Sequence, residues 1–228
     1  MRKAILIVYR RIELPVGSPS PRFAHTLSDG EIRDAVESFE QFPRLATELT
    51  GGLVSVDSEV AEAERTLTTL TPVGREQYWP SPDDVRPELD TLAPAGRYDS
   101  VFIFWPQTNL MTAASIPSPG WGLAIAASEW SNWATYATVA NAHTDAWKVP
   151  KIGEVWLHEW LHGVCGYYAE LGYPMPDGDA DGGARHGYER SPETGWTKYY
   201  RDLMTGNVLE SGRLVGIPPQ AWRRWRRD

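Results

Sequence analysis

The stretch GEVWLHEWLHGV, residues 153–164, sets His158 and His162 four residues apart inside a helical pattern, with Glu159 directly after the first histidine. An α-helix repeats every ~3.6 residues and rises ~1.5 Å per residue, so positions four apart share a face, separated by about 6 Å along the axis. Two imidazoles placed this way can converge on one tetrahedral zinc ion at about 2.0–2.1 Å. Glu159 is turned by about 100° from His158, off the shared face but within reach of a water at an open coordination position. Three fixed residues in five do arise by chance. Here, however, two of only five histidines in the chain fall in the pattern, and its flanks Val155, Trp156, Leu157, Trp160 and Leu161 are apolar, as in a buried helix. The spacing therefore predicts a metal-holding helix over 151–172, closed by Gly172 and Pro174.

The segments around this helix alternate in type. KAILIVYRR at the start is a β-branched run and predicts a buried strand. Ser28 and Glu31 form a capping box ahead of Ile32, Val36 and Phe39, which keep helical spacing up to Pro43. LVSV, 53–56, is a strand candidate, and EVAEAERTL after it fits either a helix or an alternating strand. SPDDVRPELDTL, 81–92, predicts a short helix, and YDSVFIFWP, 98–106, an interior strand. Residues 107–133 are rich in Pro, Gly, Ser and Trp and predict a long surface loop. WATYATVAN, 133–141, alternates as an edge strand does. SPETGWTKYYRDLMTG, 191–206, predicts a helix capped by Ser191 and stopped by Gly206. This order, without repeats or a dividing linker, predicts one α/β (α+β) domain over 1–228 with a mixed sheet.

HEWLH at 158–162 resembles the zincin metallopeptidases. The resemblance implies a zincin-like fold, a twisted mixed sheet with an active-site helix carrying the HExxH motif, in which the edge strand aligns a peptide substrate. It implies Zn2+, with His158 and His162 as ligands and Glu159 as general base. The metzincin pattern goes on to a glycine and a third histidine, where this chain has Cys165 and Tyr168. The gluzincin pattern needs a glutamate on a later helix, a place Glu193 could take, though its usual neighbour is absent.

A catalytic zinc site has three protein ligands and an open position. His186, in the glycine-flanked ARHGYE after a reversing loop, is the expected third ligand. Asp177, Asp179, Asp181 and Glu189 are the alternatives, and His25 and His143 are the remaining histidines. DGDADG, 177–182, also fits the opening of a calcium loop, so Asp177, Asp179 and Asp181 are a candidate Ca2+ site, although the twelfth position is Tyr188 and not an acid. A phenol can support an oxyanion; Tyr188 and Tyr200 are the candidates, with Tyr199 beside them. Met204 resembles the methionine that lies beneath the zinc in metzincins, with a core residue the alternative, and Glu154 could orient an imidazole. Trp121, Trp130 and Trp133 could wall an aromatic cleft for peptide or sugar.

With 42% hydrophobic residues the chain can bury a core, and a net charge of −8 argues against a nucleic-acid coat even with the basic WRRWRR at 222–227. The single cysteine, Cys165, excludes a disulfide framework within the chain. The first apolar run is too short for a signal peptide and no run reaches membrane-spanning length. A cytoplasmic monomer acting on a peptide or protein is expected, with no nucleic-acid or membrane partner; a secreted mature form reads the same way. Two rivals stand beside the peptidase: a zinc hydrolase of a small amide, and a carbohydrate-binding module lined by tryptophans.

Overall fold

The computed structural model describes residues 1–15, 22–149 and 152–224. Its centre is a five-stranded mixed sheet. In chain order the strands are β1 (Arg2–Tyr9), β2 (Val56–Ala63), β3 (Ser100–Trp105), β4 (Gly122–Ile125) and β5 (Thr135–Ala140), arranged in space as β4-β5-β3-β1-β2. β5, β3, β1 and β2 run parallel, and β4 pairs antiparallel to β5 at one edge. The helices are α1 (Asp29–Phe39), α2 (Phe42–Leu49), α3 (Arg86–Leu92), α4 (Glu154–Glu170) and α5 (Thr197–Thr205).

Alternation along the strands divides the core into two layers. Leu6, Val8, Phe102, Phe104, Ala137 and Val139 face the layer built by α1, α2, α4 and α5. Ile5, Ile7, Val101, Ile103 and Tyr136 face the opposite layer, with Leu89 of α3 and Trp79. β1 and β3 are buried on both faces, which is why both read as continuous apolar runs. The capping box holds as expected: Ser28 Oγ accepts from the Glu31 N–H, and the Glu31 carboxylate accepts from the Ser28 N–H. Pro43 does not kink α1, which has already ended at Phe39; it lies in the first turn of α2, where its missing N–H costs nothing.

Three expectations are corrected, and one open choice is settled. EVAEAERTL, which fits a helix or a strand by sequence, is mostly strand: β2 is an edge strand whose charges all sit at exposed positions. LVSV contributes only Val56 to it. The last helix begins at Thr197, because residues 191–195 form a turn in which Ser191 Oγ accepts from the Glu193 and Thr194 N–H groups. Most consequential for the site, the strand within 133–141 is interior, with only Trp133 ahead of it exposed. β5 is buried throughout, and the edge strand is β4, inside the stretch expected to be loop. The small residues of β5 that mimic a half-exposed pattern are small because α4 lies close above them.

Glycine sets that closeness. A Cβ on Gly163 of α4 would lie 2.7 Å from the Ile125 carbonyl oxygen, and one on Gly122 would lie 1.8 Å from that of Thr138 and 2.9 Å from the Glu159 carboxyl carbon. α4 ends in a Schellman arrangement: Gly172, at φ +86°, donates to Ala169, and Tyr173 donates to the Tyr168 carbonyl. Trp156 packs against Phe39 and Phe102 and donates to Ser38 Oγ at 3.1 Å. Trp160 donates to Ser100 Oγ at 2.9 Å and stacks on Trp222 from the tail. Each indole buries roughly 150–250 Å² of surface, about 4–6 kcal/mol by area as an upper bound. Together they fix the rotation of α4 and so the direction in which its histidines point. The basic tail thus packs through Trp222; residues 225–227 of WRRWRR lie outside the described residues.

Candidate metal centre

α4 delivers His158, Glu159 and His162 to the floor of a cleft of about 480 Å³. One wall is Pro119 to Ala124, the approach to β4 and most of that strand; the other is formed by Asp179, Asp181 and Trp196. The two Nε2 atoms lie 3.3 Å apart. Asp181 completes a triangle, with one carboxylate oxygen 3.5 Å from His158 Nε2 and the other 3.8 Å from His162 Nε2. A tetrahedral ion with ligands at about 2.0–2.1 Å sets its donors about 3.3 Å apart, so the three sides fit a small divalent cation with little movement. His158, His162 and Asp181 are the one such three-residue group found among the described residues. Two neutral nitrogens and one carboxylate suit zinc better than an all-oxygen donor set would.

Each imidazole is held through its other nitrogen. His162 Nδ1 lies 2.5 Å from Asp179 Oδ1. His158 Nδ1 lies 2.8 Å from the buried Tyr200 hydroxyl, carried by α5. The tautomers in which both Nδ1–H groups donate leave both Nε2 lone pairs facing the same point. Burial, with His162 alongside, lowers His158 to a pKa of about 3, so it is neutral and ready to ligate at neutral pH. Burial lowers His162 as well, but its bond to Asp179 outweighs that, and the net shift is upward. Asp179, penalised by burial yet bonded to His162, stays below the usual carboxylate range.

Asp179 takes up a left-handed backbone, with φ of 35°, uncommon for a residue other than glycine. Its carbonyl accepts from the Tyr199 hydroxyl. Gly182 makes the turn possible: a Cβ there would sit 2.4 Å from that hydroxyl and 2.7 Å from the Asp177 carbonyl oxygen. This strain is found at the residue that orients a candidate ligand. Glu159 is almost wholly buried, with one carboxylate oxygen 4.0 Å from His158 Nε2. Burial raises its pKa to about 8, and a cation held beside it favours the ionised form.

The structure separates the expected residues. His158, His162 and Glu159 come together. His186 does not join them: its Nε2 lies 3.1 Å from the Asp177 carbonyl and 3.7 Å from Glu210, and its ring lies parallel to Tyr199. The loop long enough to bring His186 back instead presents Asp181 first, because two short 3-10 turns, Asp179–Asp181 and Ala184–His186, reverse the chain early. The calcium reading gains no support: Asp177 pairs with Arg185, Asp179 with His162, and Asp181 faces the histidine pair. Tyr188 donates to Asp202 at 2.6 Å and is not among the cleft residues; Tyr200 touches His158 and has no contact with the open side. Glu154 bonds the Trp196 N–H and Arg190, not an imidazole. Met204 is a core residue, fully buried. Glu189 and His143 are exposed. His25 lies 3.7 Å from Glu31. Of the loop tryptophans only Trp121 lines the cleft, edge-on to His158 at 5.2 Å; Trp130 packs on Trp79 and Trp133 is half exposed. Nothing in the local sequence marks Trp196 as a wall residue, and the short apolar run GLAI, 122–125, is the one trace of strand β4.

No family model matches the sequence, and comparison with curated proteins finds no match. Among solved structures, the crystal structure of archaemetzincin from Methanopyrus kandleri is similar over 71% of this chain and 73% of its own, at 18% identity and a TM-score of 0.37. Among the described residues, no helix is long and apolar enough to cross a membrane.

Proposed function

We propose that this chain is a zinc-dependent hydrolase that cleaves peptide bonds. The observation that carries the reading is the convergence of His158 Nε2, His162 Nε2 and the Asp181 carboxylate, with Glu159 buried against the same point. His158, His162 and Asp181 would hold the ion, leaving a fourth position toward the cleft. When bound, zinc supplies a Lewis acid that brings the pKa of its water to about 7 and polarises a carbonyl.

The residues of the chain do the rest. Glu159 accepts a proton from the attacking water and returns it to the departing amine, a role that needs a carboxylate shielded from bulk solvent and within reach of the reacting atoms. Asp179 and Tyr200 keep the imidazoles aimed while this happens. Among the described residues β4 pairs with β5 on one side only, so its other edge offers backbone groups to an extended chain laid along the cleft. That edge favours a peptide over a compact amide.

The test is metal analysis followed by digestion of a peptide pool. The reading expects one zinc per chain and cleavage that stops on chelation. Absence of stoichiometric zinc sinks the metal site; full zinc without cleavage of any peptide sinks the peptidase reading and leaves the small-amide hydrolase.

A further inference from the structure

Trp121 lines the cleft and also a second cavity, of about 400 Å³, with Thr144, Glu154, Arg190 and Glu193 in its lining. Trp121 is shared by the two. Its ring centroid is 5.2 Å from the His158 ring and 5.8 Å from Arg190 Cζ. An extended chain advances about 3.3 Å per residue, so a substrate side chain about two or three positions from the bond at Glu159 reaches this cavity.

We propose that the cavity is a specificity subsite in which Arg190 reads a carboxylate of the substrate, from an acidic side chain or from the chain's own C-terminus. The proposal rests on the hydrolase reading of the neighbouring cluster. Arg190 is held in place: Glu154 accepts from its Nη2 at 2.8 Å, and its Cζ lies 5.8 Å from the Trp121 ring centroid. Glu154 is itself fixed. It is the first residue of α4, accepts from the Trp196 N–H at 2.7 Å, and is covered by Gly195, where a Cβ would fall 2.0 Å from its carboxylate. A guanidinium carries five donors in a rigid fork, and among the described residues Arg190 bonds only Glu154. The remaining donors form a pre-set edge matched to a carboxylate.

Glu193 lines the same cavity and argues for a cation instead. It is exposed, on a surface turn, and bonded to Ser191 Oγ at 2.9 Å. The Arg190 side chain is itself 45% exposed, so water screens both charges; what separates them is anchoring, since Arg190 is tied to the buried Glu154 on α4 and Glu193 only to Ser191 on its own turn. The observations therefore favour the anion.

The test uses the zinc-loaded protein and capped tripeptides that differ in one side chain, glutamate, glutamine or lysine, plus an alanine peptide with a free C-terminus. Binding is read from the Trp121 indole N–H resonance, and cleavage from a mixed peptide pool. Wild type should bind the glutamate peptide or the free-carboxylate peptide about 10- to 100-fold more tightly than the glutamine one, and Arg190→Gln should erase the difference. Glu193→Gln should sharpen the preference for acid, and thermal melts confirm that both variants fold. Which of the two carboxylate peptides wins separates side chain from chain terminus. Preference for the lysine peptide, lost in Glu193→Gln, overturns the proposal, as does an acid preference untouched by Arg190→Gln. A pool left uncut while the glutamate peptide still binds through Arg190 would refute the peptidase reading and keep the subsite.

Discussion

The Nε2 atoms of His158 and His162 lie 3.3 Å apart, while their Nδ1 atoms are held by partners of different charge, the neutral Tyr200 phenol and the Asp179 carboxylate. The pair is therefore aimed from outside the helix, by α5 and by the loop that follows α4. Helical spacing brings the rings to one face; the two outer bonds set their rotation.

Removing either imidazole should abolish stoichiometric metal binding, because two remaining donors hold an ion poorly. Asp181→Asn should weaken binding strongly, whereas His186→Ala should leave it near wild type. Competitive titration against a zinc indicator measures all four variants. A large loss in His186→Ala alone would return that residue to the ligand set.

Asp179→Asn should lower zinc affinity about 10- to 100-fold, and Tyr200→Phe should do so by less, since a carboxylate raises imidazole basicity more than a phenol does. The same titration checks the order. Equal affinities for both variants and wild type would make the two bonds incidental.

Glu159→Gln should keep its zinc and its fold while losing about 10²–10⁴-fold in hydrolysis rate. Metal analysis and a rate assay on one verified peptide separate a base from a ligand: loss of zinc would mean that Glu159 coordinates.

Gly163→Ala should destabilise the protein by about 1–3 kcal/mol, since the new Cβ meets the Ile125 carbonyl and must push β4 away from α4. Chemical denaturation reads the stability, and the peptide rate should fall with it, because β4 is the cleft wall. A neutral effect on both would show that the two elements are not tightly coupled.

Remote from the cleft, Glu88 is buried against Tyr9 and accepts two bonds from Arg65, at 2.8 and 3.0 Å. Burial alone would raise its carboxyl, but the Arg65 and Tyr9 bonds outweigh it and the pKa falls below the usual 4.5. A carboxyl whose folded pKa lies below its unfolded value adds stability above the unfolded pKa and loses it as pH falls through the folded one. Wild type should therefore lose melting temperature on acidification more steeply than Glu88→Gln in that window, and parallel curves would remove Glu88 from the acid response.

The sequence by itself determined the local features. The capping box of α1, the continuous apolar runs of β1 and β3, and the alignment of His158, Glu159 and His162 on α4 all follow from spacing within one turn or one strand, where each residue's neighbours are its sequence neighbours. Tertiary structure decided what joins distant segments. Asp181 and not His186 faces the histidines because two short 3-10 turns set the path of residues 179–186. β4, only four residues of weak pattern, becomes a strand because β5 offers it an edge and Gly122 and Gly163 let the backbones approach. Tyr200 reaches His158 across 42 residues of chain. Periodicity records which face of an element is apolar; it carries no record of which remote side chain that face will meet.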